Sequence, residues 1–386
     1  MPHLTTPAAV AFARPSIGVD EIDEVVATLE SGWLTTGPRV EAFERRFADY
    51  IGAPHAVAVN SCTAALHLSL LAAEVGPGDE VITTPLTFCA TANAVIHTGA
   101  APVFADIDPV TMNLDPAAAA AAVTPRTRAL LPVHFAGRPA DVLAFGRLAR
   151  RHQLRVIEDA AHAVEAVAAG LKIGTTAEFT CFSFYATKNL TTGEGGMVTT
   201  ASADAAARLR VAALHGMSRD AWRRYAQGGS AQYDVVMAGF KYNMMDVQAA
   251  IGLRQLARLY GMHDRREAIC RRYDEAFADL PLTLPAPPDA GMVHARHLYT
   301  VLVDERLCGV SRDRLQAQLA DAGIGTAIHF KALHLHSYYA DRFALRRGMF
   351  PGAEFVSDRT LSLPLSAALT DAEVDRVIEA VRERVR

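Results

Sequence analysis

The sequence predicts an α/β protein: a mainly parallel sheet with helices on both faces, followed by a smaller α+β unit. Short β-rich runs alternate with helix-like stretches as far as about residue 200. Those runs are continuously apolar, as strands buried on both faces are. A chain of 386 residues also exceeds what one hydrophobic core usually serves, so two domains are expected.

The elements follow in order. Val19, Ile22, Val25, Val26 and Leu29 recur at helical spacing, and Gly32 ends that helix. Strands are expected at residues 55–59, 80–83, 102–105, 128–133, 154–158 and 179–184, with helices at 63–74, 90–98, 116–123 and 141–152. After Asn243 a helical pattern runs to about Phe277, and a Pro-rich break follows at 281–288. The remainder reads as a strand at 297–303, a helix at 311–322, a short strand at 326–329 and a closing helix at 371–384. The expected division is 1–250 for the large α/β domain and 251–386 for the small one, which begins with the long linking helix.

Composition narrows the function. Lys+Arg 38 against Asp+Glu 42 leaves a net charge of −4, without the basic excess that holding nucleic acid by its phosphates normally requires. The longest apolar stretch, 117–123, is too short to span a bilayer, and the first residues do not read as a signal peptide. The five cysteines are scattered without C-x-x-C pairing, which fits a reduced, cytoplasmic protein. No G-x-G-x-x-G follows a strand, and the phosphate loop G-x-x-x-x-G-K-[ST] and the zinc motif H-E-x-x-H do not occur. His334 and His336 stand at alternate positions in an expected loop, where solvent exposure is the simpler reading than a metal.

Three features carry chemistry. The strand ending Ile157-Glu158 runs into Asp159-Ala160-Ala161-His162, and a carboxylate at the end of an apolar strand is costly without a cationic partner. Further on, Ser183-Phe184-Tyr185-Ala186-Thr187-Lys188 leads into the glycine-rich Gly193-Glu194-Gly195-Gly196. A lysine desolvated there has a lowered pKa and can act as a nucleophilic amine or a base. Upstream, Asn60-Ser61-Cys62-Thr63-Ala64-Ala65 joins a strand to a helix, and free N–H groups with a hydroxyl at a helix start suit a phosphate. Each piece alone fits a buried Asp–Lys pair or a helix cap. Together they suit one ligand, pyridoxal 5'-phosphate (PLP), which needs an amine for its aldehyde, an acid beside its ring nitrogen and donors for its phosphate.

Glu158 to His162 and Ser183 to Lys188, with 31–38, 78–82, Lys241-Tyr242-Asn243 and 325–330, resemble the DegT/DnrJ/EryC1/StrS sugar aminotransferases along nearly the whole chain. The resemblance implies the aspartate aminotransferase fold (PLP fold type I), with a seven-stranded large domain. It implies Lys188 as Schiff-base lysine and proton shuttle, Asp159 at the ring nitrogen, and His162 near the ring's 3-oxygen. Phe88 would stack on the ring, while Ser183 and Thr63, with the amides of Cys62 and Ala64, would hold the phosphate. Asn243 would reach the neighbouring subunit's cofactor, making the unit a homodimer with active sites at the subunit interface. Lys188 itself favours amino transfer over dehydration, because the sugar dehydratases related to this family have histidine there.

Segments 132–137, 294–299 and 329–334 are most similar to family members that make UDP-4-amino-4-deoxy-L-arabinose. The expected reaction moves the amine of L-glutamate to the 4-keto group of a UDP-4-ketopentose. A dTDP- or UDP-4-keto-6-deoxyhexose is the alternative acceptor, and a non-catalytic PLP-binding regulatory protein the alternative of another class. Tyr185 and Glu165 depart from the pattern, where histidine and glycine are expected. Thr35, Thr36, Tyr185, His329 and Phe330 are candidates for the sugar pocket, although each also fits loop packing. Lys241 and Arg219 could bind the nucleotide's diphosphate, although for Arg219 a surface charge is the simpler reading.

Overall fold

The computed structural model describes residues 9–218 and 234–385. In chain order its strands are β1 (His55–Val59), β2 (Glu80–Thr83), β3 (Ala101–Phe104), β4 (Thr127–Leu131), β5 (Arg155–Asp159), the two-residue pair β6 (Val167–Ala168) and β7 (Leu171–Lys172), β8 (Phe179–Ser183), β9 (Gly196–Thr200), β10 (Leu282–Thr283), β11 (Tyr299–Val303) and β12 (Thr360–Leu363). Seven of them form one sheet in the order β1-β9-β8-β5-β4-β2-β3. Every neighbouring pair is parallel except the two that involve β9. The other six strands therefore deliver their carboxyl ends to one edge, where ligands of such sheets bind.

The strands are apolar throughout because both faces are covered. Along β8, Cys181 packs into a layer with Leu66, Leu70 and Leu209, while Phe182 points the other way, toward Phe43, Phe47 and Leu253. The second layer rests on the helix Pro38–Ile51, which the sequence reading did not single out. That helix has proline in its first turn, Gly52 in the left-handed region at its end, and Val40, Phe43, Phe47 and Ile51 buried.

The long helix Asp246–Phe277 joins two cores. Ala249, Leu253, Leu259 and Met262 pack with the large sheet, whereas Ile269, Tyr273 and Phe277 pack with β10, β11, β12 and the closing helix Asp371–Arg384. Residue 250 thus lies inside one helix, and on this packing a proposed joint between two units falls between Met262 and Ile269. Val10 packs into the second core and bridges to Ile324, so the N-terminal segment reaches across to residues expected in the small unit.

The strand expected at 326–329 does not form. Only Ala327 bridges, to Ser362, and the third strand of the small sheet is β12. The expected run ends at His329, whose ring stacks on Phe12 and hydrogen-bonds Ser362 Oγ at 2.8 Å, so side-chain packing takes the place of a ladder.

The helix Val19–Glu30 forms as its periodicity predicts, but its apolar stripe faces outward. Val19, Ile22, Val26 and Leu29 are exposed, whereas Glu21 and Thr28 are buried against the long helix. Glu21 pairs with Arg258 at 2.8 Å and accepts from Gln255 at 2.9 Å, while Glu24 pairs with Arg39 and Arg254. Polar pairing, not apolar burial, docks this helix on its own chain.

Candidate active site

Asp159 closes β5 and is buried. Its Oδ1 accepts the Ala161 N–H at 3.1 Å, and its Oδ2 accepts the Thr91 hydroxyl at 2.8 Å. Thr91, on the helix Cys89–His97, is 2.8 Å from the Thr87 hydroxyl, so a short hydroxyl chain supports the acid. Burial raises the Asp159 pKa, with the Thr91 and Ala161 hydrogen bonds and the Lys188 charge acting against it. A buried carboxylate of this kind gains from a cationic ligand group. The neighbouring Glu158 accepts from the hydroxyls of Thr176 and Thr180.

Lys188 lies on the turn that follows β8, where its N–H donates to Tyr185 O at 2.9 Å. Burial draws its pKa down to about 8, with Cys62 and Asp159 pulling the other way. The amine is therefore partly neutral near physiological pH, as a nucleophile must be.

The candidate anion cradle lies at the end of β1. Ser61 caps the helix Cys62–Ala72, and its Oγ accepts the Ala64 N–H at 3.1 Å. The expected Ala64 amide is thus engaged by the cap, while the Cys62 and Thr63 amides belong to a first turn without intrahelical acceptors. Gly196 opens β9 between the ends of β1 and β8, pairing with Val59 and Ser183. A Cβ there would come within 2.6 Å of the Ser61 backbone. Gly196→Ala should therefore cost about 1–3 kcal/mol of stability and loosen phosphate binding. Thermal melts and PLP titration of the cofactor-free protein check this, and unchanged affinity would remove the cradle from the assignment.

Rings gather around His162. His162, buried, lies 4.3 Å from His297 and 6.3 Å from Phe330 between ring centroids. Its Nδ1 is buried without a partner among the described residues. Burial first, then Lys188 and His329, hold its pKa well below the usual imidazole value, so the ring is neutral. His329 is pulled down to about 4 by burial and Lys188. Phe330 is 6.2 Å from Phe88, which is itself 60% exposed and so has a face free for a ligand.

The structure thus brings Lys188, Asp159, His162, Cys62 and His329 into one electrostatic group, with Thr63, Ser183, Phe88 and Phe330 at the same edge. Other candidates lie further out or are engaged. Thr35, Tyr185 and Lys241 are exposed. The Thr36 hydroxyl donates to Met244 O at 2.6 Å and accepts from Asn243 Nδ2 at 2.7 Å. Asn243 also bridges to Val59 of its own chain, and its Oδ1 has no partner among the described residues. Arg219 lies outside the described residues. His334 is a correction: it is fully buried rather than solvent-exposed, with Nε2 3.0 Å from Glu354 Oε1, while His336 is exposed.

Sequence reasoning missed Thr91, Asn189 and His297. Thr91 sits one helical turn from Thr87, a spacing that gave no chemical signal. Asn189 directly follows Lys188, and its neighbour Glu165 departs from the expected pattern; that departure was the one available hint.

A desolvated lysine beyond β8, an acid ending β5 and a backbone cradle ending β1 suit PLP's aldehyde, ring nitrogen and phosphate. The sheet and the site together define a PLP-dependent enzyme of the aspartate aminotransferase fold. The chain belongs to the DegT/DnrJ/EryC1/StrS aminotransferase family, whose model matches residues 15–382. It is 54% identical over 377 residues to the spore coat polysaccharide biosynthesis protein SpsC of Bacillus subtilis, covering 97% of each chain. The PLP form of Streptococcus pneumoniae Spr1654, described as a sugar aminotransferase, superposes with a TM-score of 0.90 at 34% identity, covering 98% of this chain and 100% of that one. Helicobacter pylori PseC, an aminotransferase involved in pseudoaminic acid biosynthesis, gives 0.90 at 28% identity, with 98% and 99% covered. The chain is therefore a PLP-dependent aminotransferase.

Proposed function

We propose that this chain transfers the amine of L-glutamate to the 4-keto group of a nucleotide-linked sugar, in two half-reactions, as a homodimer. The observation that carries the reading is the desolvated Lys188 amine within electrostatic reach of the Asp159 carboxylate, both at the sheet's carboxyl edge. The relatives' names, a polysaccharide biosynthesis protein and sugar aminotransferases, support a sugar acceptor.

When bound, PLP supplies a ring that withdraws electrons and carries the amine between donor and acceptor. Asp159 would hold a proton at the ring nitrogen. Lys188, neutral in part at neutral pH, would take the proton from the donor's α-carbon and hand one back as the amine moves. His162, neutral and backed by a second ring, would lie near the ring's 3-oxygen. The Cys62 and Thr63 amides and the Ser183 and Thr63 hydroxyls would hold the phosphate, and Phe88 would cover a ring face. Tyr185, His329, Phe330, Thr35 and Thr36 would shape the sugar pocket, and Lys241 would meet the diphosphate.

The outward apolar stripe of Val19, Ile22, Val26 and Leu29 supports the homodimer, since four large apolar side chains on one helix face favour a covering partner. Asn243 Nδ2 gives one hydrogen to the Thr36 hydroxyl, and its second amide hydrogen would be the one to serve a partner's cofactor. No helix among the described residues is long and apolar enough to cross a membrane.

The test is sequential. L-glutamate should bleach the bound cofactor's visible absorbance, and adding UDP-4-ketopentose or dTDP-4-keto-6-deoxyglucose should restore it with an aminated sugar detectable by mass spectrometry. The restoring acceptor separates the two substrate readings. Bleaching without amination of either would overturn the acceptor class, and no bleaching would favour the non-catalytic alternative.

A further inference from the structure

Behind His162 lies a buried polar chain that the mechanism above does not use. Arg266, on the long helix, pairs with Glu165 Oε1, and both side chains are 4% exposed. Glu165 Oε2 accepts from Asn189 Nδ2 at 2.9 Å, and the same amide group donates to Ala295 O at 2.7 Å. Asn189 Oδ1 lies 3.1 Å from His297 Nδ1, and the His297 ring lies against His162 at 4.3 Å with 33° between planes. The chain thus runs from the long helix to the residue after Lys188 and on to the ring that backs His162.

Chemistry fixes the direction of each bond. Glu165 and the Ala295 carbonyl only accept, so both Asn189 amide hydrogens are committed to them. That leaves the amide oxygen facing His297, and an oxygen that only accepts requires the hydrogen on His297 Nδ1. Burial, followed by His162, Lys188, His329 and Arg266, keeps the His297 ring neutral, so its Nε2 is a bare acceptor. One tautomer and one ring orientation are selected, and a buried charge pair anchors the selection.

We propose that His297 is a positioning residue for His162, held as the Nδ1–H tautomer by Asn189, which the Glu165–Arg266 pair holds in turn. This rests on the reading that His162 packs beside the cofactor ring. The relay acts by keeping the His162 ring at a fixed angle and depth, so that the surroundings of the bound ring do not fluctuate between turnovers. Neither Glu165 nor His297 touches the reacting atoms.

The experiment uses the full chain loaded with PLP, comparing the parent with Glu165→Gln and His297→Asn. Gln can still accept from Asn189 but leaves Arg266 unpaired. Asn at 297 can still donate to Asn189 but removes the ring from His162. Borohydride-fixed adduct on Lys188, found by peptide mass spectrometry, reports separately on the cofactor assignment and should form in all three proteins. In both variants the pH midpoint of the cofactor's visible absorbance should move by at least about half a unit. The kcat of the glutamate half-reaction should fall about tenfold while KM changes less than about twofold. Lower melting temperatures with parental pH midpoint and kcat would show a structural role only and overturn the proposal. If Glu165→Gln does not fold, His297→Asn decides alone by the same two readouts. A parent without the adduct would overturn the cofactor assignment and the relay together.

Discussion

Lys188→Ala should abolish turnover and leave the fold intact: kcat for both half-reactions should fall by at least about four orders of magnitude, because the nucleophile and the base are removed together. The structure gives the reason for an intact fold. The turn is held by the Lys188 N–H to Tyr185 O, a backbone bond that alanine keeps. Burial depresses the lysine's pKa to about 8, so charging the amine costs the folded state free energy. Between about pH 8 and the usual lysine value near 10.4 the unfolded chain binds more protons, so this group's unfavourable contribution fades as pH rises through that window. Cofactor-free parent should accordingly gain stability across that window, and the alanine variant should lack that increment. Covalent loading of the parent should also quicken as pH rises toward 8, following the neutral amine. Single-turnover absorbance, borohydride trapping and melting curves against pH read all three. Substantial transamination by Lys188→Ala would overturn the assignment.

Asp159→Asn is expected to lose about 3 kcal/mol of transition-state stabilisation, roughly a hundredfold in rate, by removing the charge proposed to hold a proton on the cofactor's ring nitrogen. The fold should tolerate the change well. The amide oxygen can still accept the Ala161 N–H, and the Thr91 hydroxyl can turn to accept from the new amide while donating to Thr87. Burial raises the Asp159 pKa, so at neutral pH ionising it costs the cofactor-free protein stability that asparagine would recover. Activity should therefore fall without a loss of melting temperature in the cofactor-free protein. Near-normal turnover would place the ring nitrogen elsewhere.

Glu165 stands where the family resemblance leads to an expectation of glycine. It brings a carboxylate into a buried region, where it is tolerated because Arg266 and Asn189 are already placed to receive it.

Much of the site was legible because it is made of chain ends and starts. Apolar runs marked β5 and β8, so Asp159 and Lys188 stood out as polar residues at their exits, and Ser61 marked a helix start, the proposed phosphate site. Each is a local pattern of a few residues, governed by periodicity and capping. Tertiary structure alone decided the rest. The antiparallel β9 sets Gly196 between two strand ends, and Thr91 meets Asp159 across 68 positions. Asn189 meets His297 across 108, and the first helix turns its apolar stripe outward because Glu21 and Glu24 find arginines on the long helix. Those contacts depend on which distant groups satisfy a buried donor or charge, and a linear pattern does not encode that pairing.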